Sequence, residues 1–176
     1  MFFYMPTKVY CENNCVRAHA RELASIGRKA LVVTGRSSAF RNGSVSDVET
    51  ALSEYGVEMA VFNEVEENPS VETVMRARDF GLSEGADFVI GIGGGSPMDA
   101  AKIMWVMYEH PGVNFDDMAM DFMDIRKRVY TFPEMGKKAY FVAIPTSSGT
   151  GSEVTPFAII TDAATGTKWP LADYEL

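Results

Sequence analysis

The stretch VIGIGGGSPMDAAK, from Val89 to Lys102, joins a run that favours a β-strand to an alanine-rich run that favours a helix. Four of the five positions from Gly91 to Gly95 are glycine. Glycine tolerates positive φ and lets a ligand approach the backbone closely. A tight turn alone is the simpler alternative, but it needs fewer glycines. We therefore predict a phosphate-binding loop between a strand and a helix.

The residues after the glycines predict how the helix begins. Ser96 fits the N-cap, Pro97 fits the first helical position, and Asp99 falls where a capping box has its acid. The free N–H groups and positive dipole end of this helix should then face the glycine loop and bind a diphosphate. The G-x-G-x-x-G dinucleotide pattern is not met, because Ser96 stands where its last glycine belongs, and no Gly-Lys-Ser/Thr follows.

The rest of the chain alternates between strand-like and helix-like patterns. Short apolar strands bounded by turns and separated by amphipathic helices are typical of a parallel sheet. The fold class predicted is α/β, a Rossmann-like parallel sheet with helices on both faces. Strands are predicted at 29–34, 57–62, 87–92 and 139–145, helices at 45–55, 70–85 and 97–109, and a terminal strand pair at 157–162 and 167–173. A short helix is predicted within 115–132, and its Met and Phe residues are expected in the core, an interaction surface being the alternative.

Composition narrows the classes of function. The 176 residues suffice for one domain with a core, residues 1–176, and 47% of them are apolar. A net charge of -8 gives no electrostatic basis for binding nucleic acid or a membrane. Cys11 and Cys15 are too few for a disulfide framework, so a cytoplasmic protein is expected. The acidic patch at Glu64, Glu66 and Glu67 is expected to be a solvated loop.

The stretch VVTGRSSAF, after the first strand of the alternating series, is the candidate for the adenosine end of a dinucleotide. An acid at this strand end would bind the ribose hydroxyls and repel a 2′-phosphate. Gly35 leaves room instead, and Arg36 with Ser37 suits a phosphate. NADP is therefore favoured over NAD, the alternative being a polar turn with an exposed arginine.

A second polar loop, IPTSSGTGSEVTP from Ile144 to Pro156, also directly follows a strand. Its hydroxyl and N–H groups could donate to the phosphates, ribose or amide of a cofactor. Lys168, on the last strand, could reach a ribose hydroxyl or phosphate.

GGGSPMDAAK, PTSSGTGSEVT and ITDAATGTKWPLAD together resemble the iron-containing (group III) alcohol dehydrogenases. The resemblance covers essentially the whole chain, as the N-terminal cofactor domain of that family. From MDAAKIMWVMYEHP onward the chain is similar to the alcohol dehydrogenase half of bifunctional aldehyde–alcohol dehydrogenases, whereas roughly residues 1–60 look more like the single-function branch. Gly35 departs from the acid that is usual in NAD-using members.

The resemblance implies a set of cofactor contacts. Each part of the cofactor, namely the diphosphate, the nicotinamide and the two riboses, would have its own contacting residues. They are Gly93, Gly94, Gly95 and Ser96 at the diphosphate, Thr146, Ser147, Thr150 and Thr155 around diphosphate and nicotinamide, Ile159 packing nearby, Lys168 at a ribose and Gly35 at the adenosine ribose.

The resemblance also implies an activity, the interconversion of primary alcohols and aldehydes with NADP or NAD. Divalent iron, or zinc, would be held by one aspartate and three histidines of a C-terminal helical domain that this chain lacks, so the chain alone is expected to be inactive. His19 and His110 do not match ligand positions and are expected to be structural. A free-standing nucleotide-binding module and a glycerol-dehydrogenase-like enzyme stay open as alternatives, as does a homo-oligomer.

Overall fold

The computed structural model describes residues 7–119 and 130–176. The elements follow one another in the alternating order that the sequence predicts. They are α1 (Cys15–Ala18), α2 (Ala20–Ala24), β1 (Lys29–Gly35), α3 (Ser38–Arg41), α4 (Ser44–Ser53), β2 (Glu58–Val65), α5 (Val71–Glu84), β3 (Phe88–Gly93), α6 (Gly95–Glu109), α7 (Phe115–Met118), β4 (Tyr140–Pro145), β5 (Phe157–Asp162) and β6 (Thr167–Ala172).

Within the described residues, four strands form a parallel sheet in the order β2-β1-β3-β4. Every residue of β3 is buried, because helices cover both faces of the sheet. A strand buried on both faces is apolar throughout rather than alternating, which is why the segments of the two central strands, β1 and β3, read as continuous apolar runs. The predicted α/β class, with helices on both faces, is confirmed.

Alternate side chains of the central strands, β1 and β3, pack into two separate hydrophobic cores. Leu31 of β1 and Val89 of β3 pack with α5 and α6 on one face, whereas Val32 and Ile90 pack with α4 on the other. This two-residue period follows from strand geometry. The sheet is thereby the middle layer of three.

Helix α5 begins and ends as its sequence predicts. The Ser70 hydroxyl caps it by accepting a hydrogen bond from the Thr73 N–H at 3.2 Å. Gly85 ends it with a φ of 64°, in the left-handed region that glycine favours.

The predicted start of α6 is wrong. The helix begins at Gly95 with Gly94 as N-cap, so Ser96 is not the cap and Pro97 lies in the third helical position. Proline is tolerated there, because the first-turn N–H groups have no partner within the helix. The Ser96 Oγ instead accepts from the Asn68 N–H at 3.3 Å, and Asp99 Oδ2 accepts from the Ile159 N–H at 3.0 Å.

The segment after α6 contributes to the core. Phe115 and Met118 of α7 are buried together with Phe132, as predicted for the apolar residues of this region. The short helix predicted within 115–132 corresponds to α7, and residues 120–129 of that range lie outside the described residues. Among the helices that the structure describes, none is long and apolar enough to cross a membrane.

The terminal strands β5 and β6 form the predicted antiparallel pair, with Phe157 opposite Ala172 and Asp162 opposite Thr167. This hairpin is separate from the parallel sheet and packs on α6.

At the other end of α6, one buried carboxylate organises the chain that leads into β4. Glu109 accepts hydrogen bonds from the N–H groups of Gly136, Lys138 and Ala139 at 2.9, 2.9 and 2.7 Å. Two carboxylate oxygens can satisfy these donors, whereas an amide offers one oxygen and adds a donor.

We expect Glu109→Gln to lower the free energy of unfolding by about 2 kcal/mol, because the amide keeps one acceptor oxygen and places an NH2 donor where the other oxygen accepted from a backbone N–H group. Denaturant unfolding would measure the loss. Glu134→Gln is the matched control, since that side chain is 71% exposed and should change stability little. Equal effects of the two substitutions would contradict this role of Glu109.

Candidate functional site

The candidate site lies at one edge of the sheet, where β1, β3 and β4 end. Gly93, the last residue of β3, lies opposite Pro145, the last residue of β4. Parallel strands present their carboxyl ends along the same edge, and ligands of open α/β sheets bind beyond it. The glycine loop and the loop of residues 146–156, here called the hydroxyl loop, therefore meet there.

In the glycine loop, Gly93 and Gly94 are the positions where neighbouring residues lie too close for a side chain to fit. Gly93 has a φ of 151°, and a Cβ placed on it would lie 2.7 Å from Pro97 Cγ. A Cβ on Gly94 would lie 3.0 Å from Ser147 Oγ. Part of the glycine content is thus required by packing, as the tight-turn alternative proposed.

Gly95 is different, because a side chain would fit there. A Cβ would lie 3.6 Å from Ser152 Oγ and 4.0 Å from Thr150 Cγ2, which is ordinary van der Waals contact. The bare backbone at this position leaves room between the start of α6 and the hydroxyl groups. The N–H groups of the first turn of a helix attract anions, so the room lies where a phosphate would bind.

The hydroxyl loop folds back over the glycine loop. The Thr146 N–H donates to the Gly93 carbonyl at 2.9 Å, which ties the two loops together at their start. Gly149 and Gly151, with φ values of 91° and 67°, then reverse the chain. Ser147 and Thr150 are exposed, so their hydroxyl groups are accessible at this edge.

The predicted adenosine-end residues lie beside the same helix start. Gly35 ends β1, and a Cβ on it would lie 3.5 Å from the Val65 carbonyl oxygen and 3.7 Å from Pro97 Cγ. Arg36 and Ser37 follow it and are exposed. The structure thus brings both Gly35 and Gly93 of the glycine loop close to Pro97.

Lys168 joins the site through a residue that the sequence analysis missed. Its Nζ donates to Asn68 Oδ1 at 2.8 Å, and the Asn68 N–H donates to Ser96 Oγ. Asn68 has a φ of 55° and precedes Pro69, a combination typical of a turn. That Asn-Pro pair after a predicted strand was the available signal.

The acidic patch before Asn68 was expected to be a solvated loop, and this expectation is wrong for Glu66. Glu66 is half-buried and accepts from the N–H and hydroxyl of Ser70 and from the Thr73 hydroxyl. Burial raises the pKa of Glu66, but these hydrogen bonds outweigh it and hold the pKa below the ordinary value. Glu64 and Glu67 are exposed, as expected.

The remaining predicted contacts, Thr155 and Ile159, lie toward the β5–β6 hairpin. The Thr155 carbonyl accepts from Lys102 Nζ at 2.6 Å. Ile159 is 47% exposed on β5, and its N–H is bound to Asp99. Its side chain is therefore available to an apolar ligand surface.

The described residues do not fit the implied metal. Within 7–119 and 130–176, no group of three or more His, Cys, Asp or Glu side chains could hold an ion. His19 Nε2 lies 2.6 Å from Glu12 Oε1, and His110 Nε2 lies 3.0 Å from the Glu134 carbonyl oxygen. Both imidazoles are engaged in local contacts.

These features define a class of protein: a doubly wound α/β domain whose glycine loop and hydroxyl loop meet at the carboxyl edge of the sheet, where folds of this kind bind ligands. Residues 6–176 match the family described as iron-containing alcohol dehydrogenase, and the chain belongs to that family.

Named relatives agree with this assignment. The bifunctional aldehyde-alcohol dehydrogenase AdhE of Escherichia coli K12 is 50% identical over 98% of this chain, which covers 19% of that protein. The NADPH-dependent butanol dehydrogenase of Clostridium saccharobutylicum is 45% identical over 85% of this chain and 37% of its own length. The crystal structure of an iron-containing alcohol dehydrogenase from Thermotoga maritima is 38% identical with a TM-score of 0.80, covering 97% of this chain and 44% of that one. The chain thus spans less than half the length of these relatives.

We expect Gly93→Ala to destabilise the protein by about 2 kcal/mol, because the new Cβ meets Pro97 in a backbone conformation that alanine rarely adopts. Thermal unfolding would measure the effect. Gly112→Ala is the control, since nothing lies within 4 Å of a Cβ there. If Gly93→Ala were as stable as the control, glycine at this position would not be required by geometry.

Proposed function

We propose that residues 1–176 form the NAD(P)-binding domain of a metal-dependent alcohol dehydrogenase that interconverts primary alcohols and aldehydes by hydride transfer. One observation carries the proposal: the hydroxyl loop is tied over the glycine loop at the start of α6, at the strand ends where such folds bind ligands. Membership of the iron-containing family supports the reaction class.

The chain's own residues bind and orient the cofactor. The backbone from Gly93 to Ser96 binds the diphosphate, and hydroxyl and N–H groups of the hydroxyl loop, from Thr146 to Thr155, bind the diphosphate and nicotinamide. Lys168 and Asn68 contact a ribose. Ile159 packs near the nicotinamide, where its exposed side chain excludes water.

The residues that the structure describes offer no ligand set for iron or zinc. The metal ligands are therefore assigned to other residues of the full enzyme. The alcohol or aldehyde would bind beside that metal. Cys11 and Cys15 are free thiols, one exposed and one half-buried, which supports a cytoplasmic location. Self-association of the chain is compatible with this function.

The geometry at Gly35 favours NADP. A Cβ at this position would be in ordinary van der Waals contact with its neighbours, so a side chain would fit there. Because glycine has none, a 2′-phosphate would meet no carboxylate. The exposed guanidinium of Arg36 and hydroxyl of Ser37 are groups that bind phosphate. A relative named as NADPH-dependent, 45% identical, is consistent with this choice.

We expect the chain to bind NADPH more tightly than NADH in calorimetric titrations, and Gly35→Asp to weaken NADPH binding about tenfold or more while sparing NADH. The reason is repulsion between the new carboxylate and the 2′-phosphate. Gly112→Asp adds the same charge in open space beyond the far end of α6 and should leave both affinities unchanged.

Two results would count against the proposal. A folded chain that binds neither cofactor would leave the cradle without its proposed ligand. Binding of both with equal affinity, unaffected by Gly35→Asp, would remove the basis for NADP.

A further inference from the structure

The edge of β5 that faces away from β6 is occupied by groups from α6 and from the turn before α5. The Thr161 N–H donates to the Pro69 carbonyl at 2.8 Å, and the Ile159 N–H donates to Asp99 Oδ2. The Phe157 carbonyl accepts from Lys102 Nζ at 3.0 Å. Side chains of a helix thus replace a neighbouring strand along this edge, where backbone groups would otherwise lack partners.

Lys102 makes a second contact at the end of the hydroxyl loop. Its Nζ also donates to the Thr155 carbonyl at 2.6 Å, and the residue is only 2% exposed. The negative charges of Asp99, one turn earlier on α6, and of Glu153 in the loop attract the ammonium group. A buried cation so surrounded is held in one position.

The hydroxyl loop is therefore anchored at both ends. Thr146 is tied to Gly93 at the start and Thr155 to Lys102 at the end. Between them, residues 147–150 are exposed, and Gly149 and Gly151 adopt positive φ. Glycines and exposed residues give this stretch little rigidity of its own, so its position depends on the anchors.

We propose that Lys102 and Asp99 are positioning residues that hold the hydroxyl loop and β5 in the arrangement that binds the dinucleotide. They act through main-chain groups and not by touching the cofactor. The inference rests on the proposed function of the hydroxyl loop. Without the anchors, the loop would be ordered only on binding, and the entropy lost at that step would weaken affinity.

The charges of the two residues support the geometry. Burial is the largest influence on both, raising the pKa of Asp99 and lowering the pKa of Lys102, and the attraction between them opposes both shifts. Each charge therefore offsets the cost of burying the other. Removing the ammonium group also leaves two carbonyl groups without their donor.

The test measures three quantities on the 176-residue chain: amide hydrogen exchange without cofactor, the Kd for NADPH, and the thermal unfolding temperature. Lys102→Met should accelerate exchange in residues 146–159 and raise the Kd about ten- to a hundredfold. Lys102→Arg, which can still donate to carbonyl groups, should restore most of the affinity. Lys137→Met, at a lysine with a 68% exposed side chain, is the matched control.

Asp99→Ala provides a second variant if Lys102→Met does not fold. It removes the acceptor of the Ile159 N–H, so that amide should exchange faster and the Kd should rise. Folded variants with unchanged exchange and unchanged Kd would overturn the inference. A wild-type chain that binds no dinucleotide would instead overturn the proposed function, and the unliganded exchange pattern would still decide whether Lys102 and Asp99 hold the loop.

Discussion

The burial of two charged side chains on one apolar helix, Lys102 and Glu109 of α6, determines how the second half of the chain is placed. A buried ion needs hydrogen-bonding partners, and each of these finds them in backbone groups from a different segment. Lys102 binds carbonyl groups where the hydroxyl loop runs into β5, and Glu109 binds N–H groups of the segment that enters β4. Two connections of the chain are thus fixed to the same helix, one at its middle and one at its C-terminal end.

Because α6 also packs between the sheet and the β5–β6 hairpin, its position relates the parts of the candidate site to one another. Its first turn supports the glycine loop, and Pro97 in that turn lies beside both Gly35 and Gly93. Lys168, from β6, reaches Asn68 across a separation of 100 residues in sequence. A shift of α6 would therefore displace the proposed adenosine, diphosphate and nicotinamide positions together.

The sequence predicted the layers of the fold well, because strands buried on both faces leave continuous apolar runs. It also predicted a helix over 70–85, whose observed boundaries at Ser70 and Gly85 depend on residues adjacent in sequence. The start of α6 was misplaced by two residues for the opposite reason. Glycine permits many backbone conformations, so Gly94 gave no local sign that it is the cap, while Ser96 and Pro97 resembled one.

The parts of the site that sequence reasoning missed are contacts between distant segments. Asn68 lies in a turn that reads as ordinary, and its partners Ser96 and Lys168 are far away along the chain. From the sequence, Lys102 was one residue of a helix, because nothing near it shows that the end of the hydroxyl loop and the start of β5 would each bring a carbonyl group to its ammonium. Such contacts follow from packing, which local pattern does not encode.

Electrostatics sets a further constraint on any anionic ligand of this edge. The chain carries a net charge of -8, so its overall field repels a dinucleotide and cannot concentrate one at the site. Attraction must come from groups close to the phosphates, where short distance outweighs the screened field of the remainder. The N-terminal turn of α6, Arg36 and Lys168 are such groups, and Lys168 is linked to that turn through Asn68 and Ser96. An anionic ligand of this edge would therefore be attracted by a few local groups and not by the overall charge of the protein.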